Sequence, residues 1–300
     1  MLRITIKGIR GGSLSASVVP VILGASIAWY HTGDISLTLF FLTLMGLISL
    51  QLGANLANDY FDYLSGVDRE TQSISHRIDD KILSSFETKP DSIFYASLAF
   101  FALGSTIGLF LDYVSEGHTI ILFGLIGVLA GFFYTAPPIK LSYRTAGEPF
   151  VFLAFGPLSV LGAYYIQTNT LSLAPFLLSI PIGFLVVAIL YVHHFIHEEV
   201  DRKAGKITPI VKLGRNKALK IYYAMILIPF FLVPLYYLLK QEPFPSLLFL
   251  LTLPLAYKAL RNASDNIENE EEFVKSIHMT HMLHFTGGLL LSLGFILGGF

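Results

Sequence analysis

What most constrains this chain is a succession of long apolar runs that carry almost no charge. Nine follow one another along the 300 residues, at roughly 14–31, 36–60, 92–111, 119–136, 148–167, 172–197, 217–239, 244–262 and 277–299. At about 1.5 Å per residue in a helix, each is about long enough to cross a hydrocarbon layer ~30 Å thick. Lipid offers the backbone no hydrogen-bond partners, so segments of this length span as helices. Only 14% of the residues are charged, against about a quarter in soluble domains. The predicted fold is therefore all-α: a polytopic membrane protein with nine transmembrane helices in a single domain over 1–300.

The basic residues orient the bundle, because lysine and arginine concentrate in cytoplasmic connections. Of the 20 lysines and arginines only Lys240 falls on the opposite side; the rest lie before the first run or after every even-numbered one. This predicts a cytoplasmic N-terminus, an outside C-terminus and placement in the cell membrane. Arg3, Lys7 and Arg10 before the first run have the layout of a signal peptide. With eight further runs behind it, the first is read as a retained span. The absence of cysteine excludes disulfides, thiolate metal sites and cysteine nucleophiles. No nucleic-acid signature is present.

Ionisable groups at membrane depth are costly and read as functional by default. The second run ends in "NLANDYFDYLSGVD" and the sixth in "HHFIHEEVDRKAG". Aligned, Asn55, Asn58, Asp59, Asp62 and Gly66 correspond in spacing to His194, His197, Glu198, Asp201 and Gly205. Polar residues three and four apart share a helix face, so each station is expected to project a row of ligands, with the glycine at the helix C-cap. Four spans separate the stations, which puts both on the cytoplasmic side. It also implies two parallel pseudo-repeats of four helices, roughly 14–136 and 148–262, plus a ninth helix. Facing carboxylate rows repel unless a cation lies between them, and such oxygen ligands suit Mg²⁺, which commonly bridges to phosphate. Fixed positive charge for a phosphate is available from Lys140 and Arg144 in "FYTAPPIKLSYRTAGEPF", with Tyr134 and Tyr143 beside them, and from Arg77 after the first station.

These residues carry a resemblance. "RGGSLSASVVPVILG", "GANLANDYFDYLSGVD", "YTAPPIKLSYRTAGEPFVFLAFGPL" and "DRKAGKITPIVKLG" resemble the UbiA-type intramembrane prenyltransferase superfamily, within it the branch making menaquinone precursors. The resemblance covers nearly the whole chain. It implies Mg²⁺-dependent ionisation of a prenyl diphosphate and transfer of the prenyl group to an aromatic acceptor such as a dihydroxynaphthoate or hydroxybenzoate. It implies Asp62, Asp201 and Tyr134 as catalytic, and Asn58, Asp59, Asp62, Asp68, His197, Glu198 and Asp201 as the metal-holding set. Lys140, Arg144 and Arg77 would bind diphosphate, and Asn55, Arg10 and His194 the acceptor. One departure is plain: the family's second motif usually reads Asp-x-x-x-Asp, and here it reads His197-x-x-x-Asp201. Glu198 could then supply the missing carboxylate, or His197 could meet a phosphate oxygen.

Other classes compete. Transfer to a glycerol phosphate lipid precursor would use the same chemistry. "HHFIH" and His278, His281 and His284 resemble histidine boxes of membrane di-iron desaturases, but His31, His76 and His118 do not complete a third box. Cation transporters carry acidic repeats, but usually near the midplane of inverted repeats, whereas both stations here leave by one face.

Overall fold

A computed structural model describes residues 14–65 and 89–300. Among them every regular element is a helix. α1 (Ser15–Thr32), α2 (Leu37–Leu64), α3 (Pro90–Val114) and α4 (Thr119–Phe133) precede a short 3-10 turn, Leu141–Tyr143. α5 (Gly147–Thr168) contains one π-helical stretch, Ala154–Leu158. α6 (Leu173–His193) is followed by two short helices, α7 (Glu198–Lys203) and α8 (Pro209–Leu213). α9 (Arg215–Leu238), the 3-10 segment Phe244–Thr252 running into α10 (Leu253–Asp265), and α11 (Glu270–Gly298) complete the bundle.

Among the described residues nine helical segments thus stand where nine spans are expected. Six are long and apolar enough to cross a membrane on their own: α2, α3, α5, α6, α9 and α11. α4 is a shorter apolar helix. α1 has 18 residues, and the eighth segment begins as a 3-10 helix before becoming α10. Local chemistry sets several ends. Ser36 Oγ accepts from the Leu39 N–H to cap α2, and Asn269 Oδ1 accepts from the Glu272 N–H at the acidic start of α11. α3 opens on Pro90, whose missing N–H costs nothing in a first turn.

Without a strong hydrophobic drive between helices in lipid, close backbone approach does much of the holding. α1 is clasped this way. A Cβ on Gly24 would lie 2.5 Å from the Val160 carbonyl of α5, and one on Gly288 of α11 would lie 2.1 Å from Val19. Around α1 the main core joins α5, α6, α9, α10 and α11, with Leu23, Ile27, Leu178, Ile182, Tyr222 and Phe295 buried in it. α2 and α3 pack against one another as a separate layer, with Leu56 and Ile93 between them. A cavity lies between this layer and the main core.

The two acidic stations match in spacing but not in conformation. α2 stays helical through Asn55, Asn58, Asp59 and Asp62, four residues beyond the expected end of its run. α6 instead stops at His193. The N–H groups of His194, Phe195 and Ile196 turn back to the carbonyls three residues before them, a tightening that satisfies a helix terminus. The chain restarts as α7, so His194, His197 and Asp201 are not a row on one helix face. Gly205 does follow α7 with φ +72°, the left-handed conformation expected of a glycine after a helix end. Gly66 lies outside the described residues.

Candidate active site

The cavity has a volume of about 1010 Å³ and is walled by α2, α3, α4, α5, α6 and α11. Leu47, Leu50, Val128, Phe155 and Leu158 make most of its length apolar. Its polar end is where α2, α4 and α6 finish, and there Asn55, Asn58, Asp62, Tyr134, His194, His197 and Asp201 all reach the wall. The two stations, 139 positions apart from Asp62 to Asp201, therefore open into one space.

Lysine joins them. Lys206 follows α7 and is itself buried; its Nζ lies 3.0 Å from Asp62 Oδ1 and 3.1 Å from Oδ2. Of the described lysines and arginines only Lys206 lines the cavity. Its position is fixed through the backbone: the Lys206 N–H donates to the Asp201 carbonyl at 2.8 Å, and the Ile207 N–H to the Tyr143 carbonyl at 3.0 Å. Tyr143 braces the same point. Its hydroxyl lies 2.6 Å from Ser65 Oγ and 3.3 Å from Asp62 Oδ1, and the Lys206 ammonium sits 4.8 Å from its ring centroid. Lys140 Nζ sits 4.7 Å from that same ring. Asn58 accepts a hydrogen bond from the Thr135 hydroxyl, which ties α2 to the segment after α4.

His194 holds the other side. Its Nε2 lies 3.4 Å from Glu148 Oε1 and its Nδ1 3.6 Å from Asp201 Oδ2. Burial by itself pulls the imidazole's pKa down, but the carboxylates of Asp201 and Glu148 outweigh it and raise the pKa to about 9. Glu148 sits in the first turn of α5. Asp201 Oδ2 and Glu148 Oε2 are buried with no hydrogen bond.

Other expected site residues fall elsewhere. Asp59 is buried, at 1% exposure, but outside the cavity wall. Glu198 turns from the cavity to bind Arg202 at 2.7 Å and Arg215 at 2.8 Å. Arg144 is exposed and off the wall. Asp68, Arg77 and Arg10 lie outside the described residues. Sequence reasoning missed Lys206 and Glu148. Lys206 reads there as one more cytoplasmic anchor, and Glu148 as the polar start of an apolar run. The available signal for Lys206 was its place five residues after Asp201, beyond a turn glycine.

Among the described residues no three His, Asp or Glu side chains cluster closely enough to hold a metal unaided. The donors fit Mg²⁺ of the kind completed by a phosphate. They are hard oxygens from Asn58, Asp62 and Asp201, one of them a buried carboxylate oxygen without a hydrogen bond.

The chain matches the UbiA prenyltransferase family over residues 17–284. It is 27% identical over 295 residues to 2-carboxy-1,4-naphthoquinone phytyltransferase of Synechocystis, covering 98% of this chain and 93% of that protein. It is 28% identical over 293 residues to 1,4-dihydroxy-2-naphthoate octaprenyltransferase of Bacillus subtilis, covering 97% and 91%. Its fold is similar to that of a UbiA homolog from Archaeoglobus fulgidus bound to DMAPP and Mg²⁺, with TM-score 0.67 and 18% identity over 96% of this chain and 99% of that one.

Proposed function

Because the chain belongs to the UbiA prenyltransferase family, we propose that it transfers a prenyl group from a prenyl diphosphate to a hydroxyaryl acceptor of the dihydroxynaphthoate kind. The observation that carries this reading is the cavity between the two layers, apolar along most of its length and lined at its polar end by Asn58, Asp62, Asp201 and Lys206. That shape suits an isoprenoid chain with a diphosphate head. The naphthoate-directed relatives support the acceptor class. The positive-inside pattern supports a cytoplasmic position for the polar end and the N-terminus.

Asn58, Asp62 and Asp201 would hold Mg²⁺. When bound, the ion neutralises charge on the departing diphosphate. The chain's own groups act alongside it. Lys206, already poised at Asp62, offers an ammonium to a diphosphate oxygen, and Lys140 stands at the same Tyr143 ring. Such charges, set in place before reaction, stabilise the leaving group more in the transition state than in the substrate. Tyr134 lines the polar end of the cavity, where an aromatic face would stabilise an allylic cation. Apolar walls around Leu50 and Phe155 hold the chain extended and keep water from the reactive carbon. His194 keeps Asp201 and Glu148 from repelling each other at the mouth.

The test is product formation by purified protein given prenyl diphosphates of several lengths, Mg²⁺ and a panel of acceptors that includes dihydroxynaphthoate, hydroxybenzoate and glycerol phosphate. The expected outcome is a C-prenylated dihydroxynaphthoate that disappears on chelation. A product formed only from glycerol phosphate would overturn the acceptor, and none from any acceptor would overturn the reaction.

A further inference from the structure

The first residue of α9 is an arginine, Arg215. A cation there works against the helix dipole, whose N-terminal end is itself positive. Its surroundings offset that cost. Nε donates to Glu198 Oε2 at 2.8 Å, Nη1 donates to the Ile267 carbonyl at 2.5 Å, and Nη2 lies 4.0 Å from Glu270 Oε1. One guanidinium, with its planar fork of donors, thus joins α7 to the connection between α10 and α11 and to the start of α11. The Arg215 and Glu198 side chains are only 18% and 14% exposed, so this pair escapes most of the screening that leaves surface ion pairs weak. Neither residue lines the cavity, so neither meets a ligand held there.

What this pair holds is α7. That helix has six residues, too few to persist without outside support, yet it carries Asp201 and is followed at once by Lys206. Its C-terminal side is fixed where the Ile207 N–H donates to the Tyr143 carbonyl at 3.0 Å. At its first residue, Glu198 binds Arg202 and Arg215. Arg202 belongs to the same helix, four residues on, and is 61% exposed; it cannot fix α7 against the bundle. Arg215 can, because its own helix and Ile267 belong to the bundle. Precision matters here, since Mg²⁺ demands near-octahedral oxygens at about 2.0–2.1 Å. A shift of about 1 Å in a positioned group can cost on the order of 100-fold in rate.

We propose that Arg215 is a positioning residue for prenyl transfer, acting through Glu198 to hold α7 where Asp201 and Lys206 face the polar mouth. This rests on the prenyl-transfer reading above and deepens it. Glu198 then serves the second station as an anchor and not as a ligand, so it does not replace the aspartate whose place His197 takes. The connection between α10 and α11 becomes part of the site's support, although none of its residues reaches the cavity.

The experiment titrates a non-ionisable prenyl thiodiphosphate into the purified full chain at a series of Mg²⁺ concentrations. It compares wild type, Arg215→Lys, Arg215→Gln, Glu198→Ala and the double variant Arg215→Gln/Glu198→Ala. Each melting temperature is measured first, and binding is read well below the lowest, so that every sample is folded. The Mg²⁺ concentration giving half-maximal binding is expected to rise about tenfold or more in Arg215→Gln and in Glu198→Ala, as when the support of a metal-holding group is removed. The double variant is expected within about twofold of the worse single one, because both changes break one link. Arg215→Lys keeps the charge without the fork and is expected to fall between wild type and Arg215→Gln; it and Glu198→Ala carry the test should Arg215→Gln not fold. Lower melting temperatures with Mg²⁺ midpoints within twofold of wild type would overturn the role, since that pattern marks a purely structural pair. Losses that multiply in the double variant would overturn it too, since Glu198 would then act apart from Arg215, as a ligand would. Absence of Mg²⁺-dependent binding by wild type would instead sink the parent reading, and the anchor with it.

Discussion

At the scale of single residues, the site turns on two basic side chains that face carboxylates, Lys206 and His194. Lys206 grips Asp62 with both carboxylate oxygens within about 3 Å. Lys206→Met removes an ammonium that serves both the fold and the diphosphate. Prenyl diphosphate affinity in Mg²⁺ is expected to fall about 10–100-fold, as for loss of a charge-assisted contact to phosphate, and calorimetry would measure it. A lower melting temperature with unchanged affinity would mean that the lysine is structural only. His194 makes a pH-dependent contribution whose sign can be worked out. Its folded pKa of about 9 lies above the unfolded value of 6.5. The imidazolium therefore stabilises the fold fully below about pH 6.5 and progressively less as pH rises through about 9. In metal-free protein, wild type should melt above His194→Gln at pH 6, and the gap should close by pH 10. A gap that widened with pH would contradict the charge placed between Glu148 and Asp201.

At the scale of elements, helix contacts decide stability, and the sequence is unevenly readable. α1 sits against α5 so closely that a Cβ on Gly24 would meet the Val160 carbonyl oxygen at 2.5 Å and Ala163 Cβ at 2.8 Å. Backbone cannot yield as a flexible side chain does. Gly24→Val is expected to destabilise by about 1–3 kcal/mol, read as a lower melting temperature in detergent; an unchanged value would mean that α1 can shift. The long apolar helices were legible because length and hydropathy suffice to identify them. The acidic end of α2 was legible because Asn55, Asn58, Asp59 and Asp62 keep helical spacing to the end of the element. The break after His193 was not. Nothing in "HHFIHEEVDRK" is glycine or proline, and the apolar pattern runs on through Phe195 and Ile196, both of which are buried. The turn is made by backbone groups closing on carbonyls three residues back, which leaves no mark in composition. The engagement of Glu198 with Arg215 was invisible for a related reason, since it depends on where α7 points once α6 has ended. Lys206 and Glu148 share that character: each becomes a site residue only when two distant connections meet.

At the scale of the whole molecule, an apolar interior is joined to one polar mouth, and chain length should be set by that interior. Gly127 of α4 lines the cavity, and a Cβ there would meet nothing within 4 Å. Gly127→Phe would fill open space rather than break packing. Use of long prenyl diphosphates is expected to drop about tenfold or more relative to short ones, as shown by product mass spectra from mixed donors. An unchanged product distribution would place the prenyl chain elsewhere. The central claim, however, concerns the mouth, where the carboxylates of two distant stations act on one diphosphate. The most direct measurement is calorimetric binding of a non-ionisable prenyl thiodiphosphate to wild type, Asp62→Asn and Asp201→Asn, each with Mg²⁺ and with chelator. Binding by wild type in Mg²⁺ alone, weakened at least tenfold in both variants, is the expected result. Equal binding in chelator, or loss in only one of the two variants, would contradict a shared site.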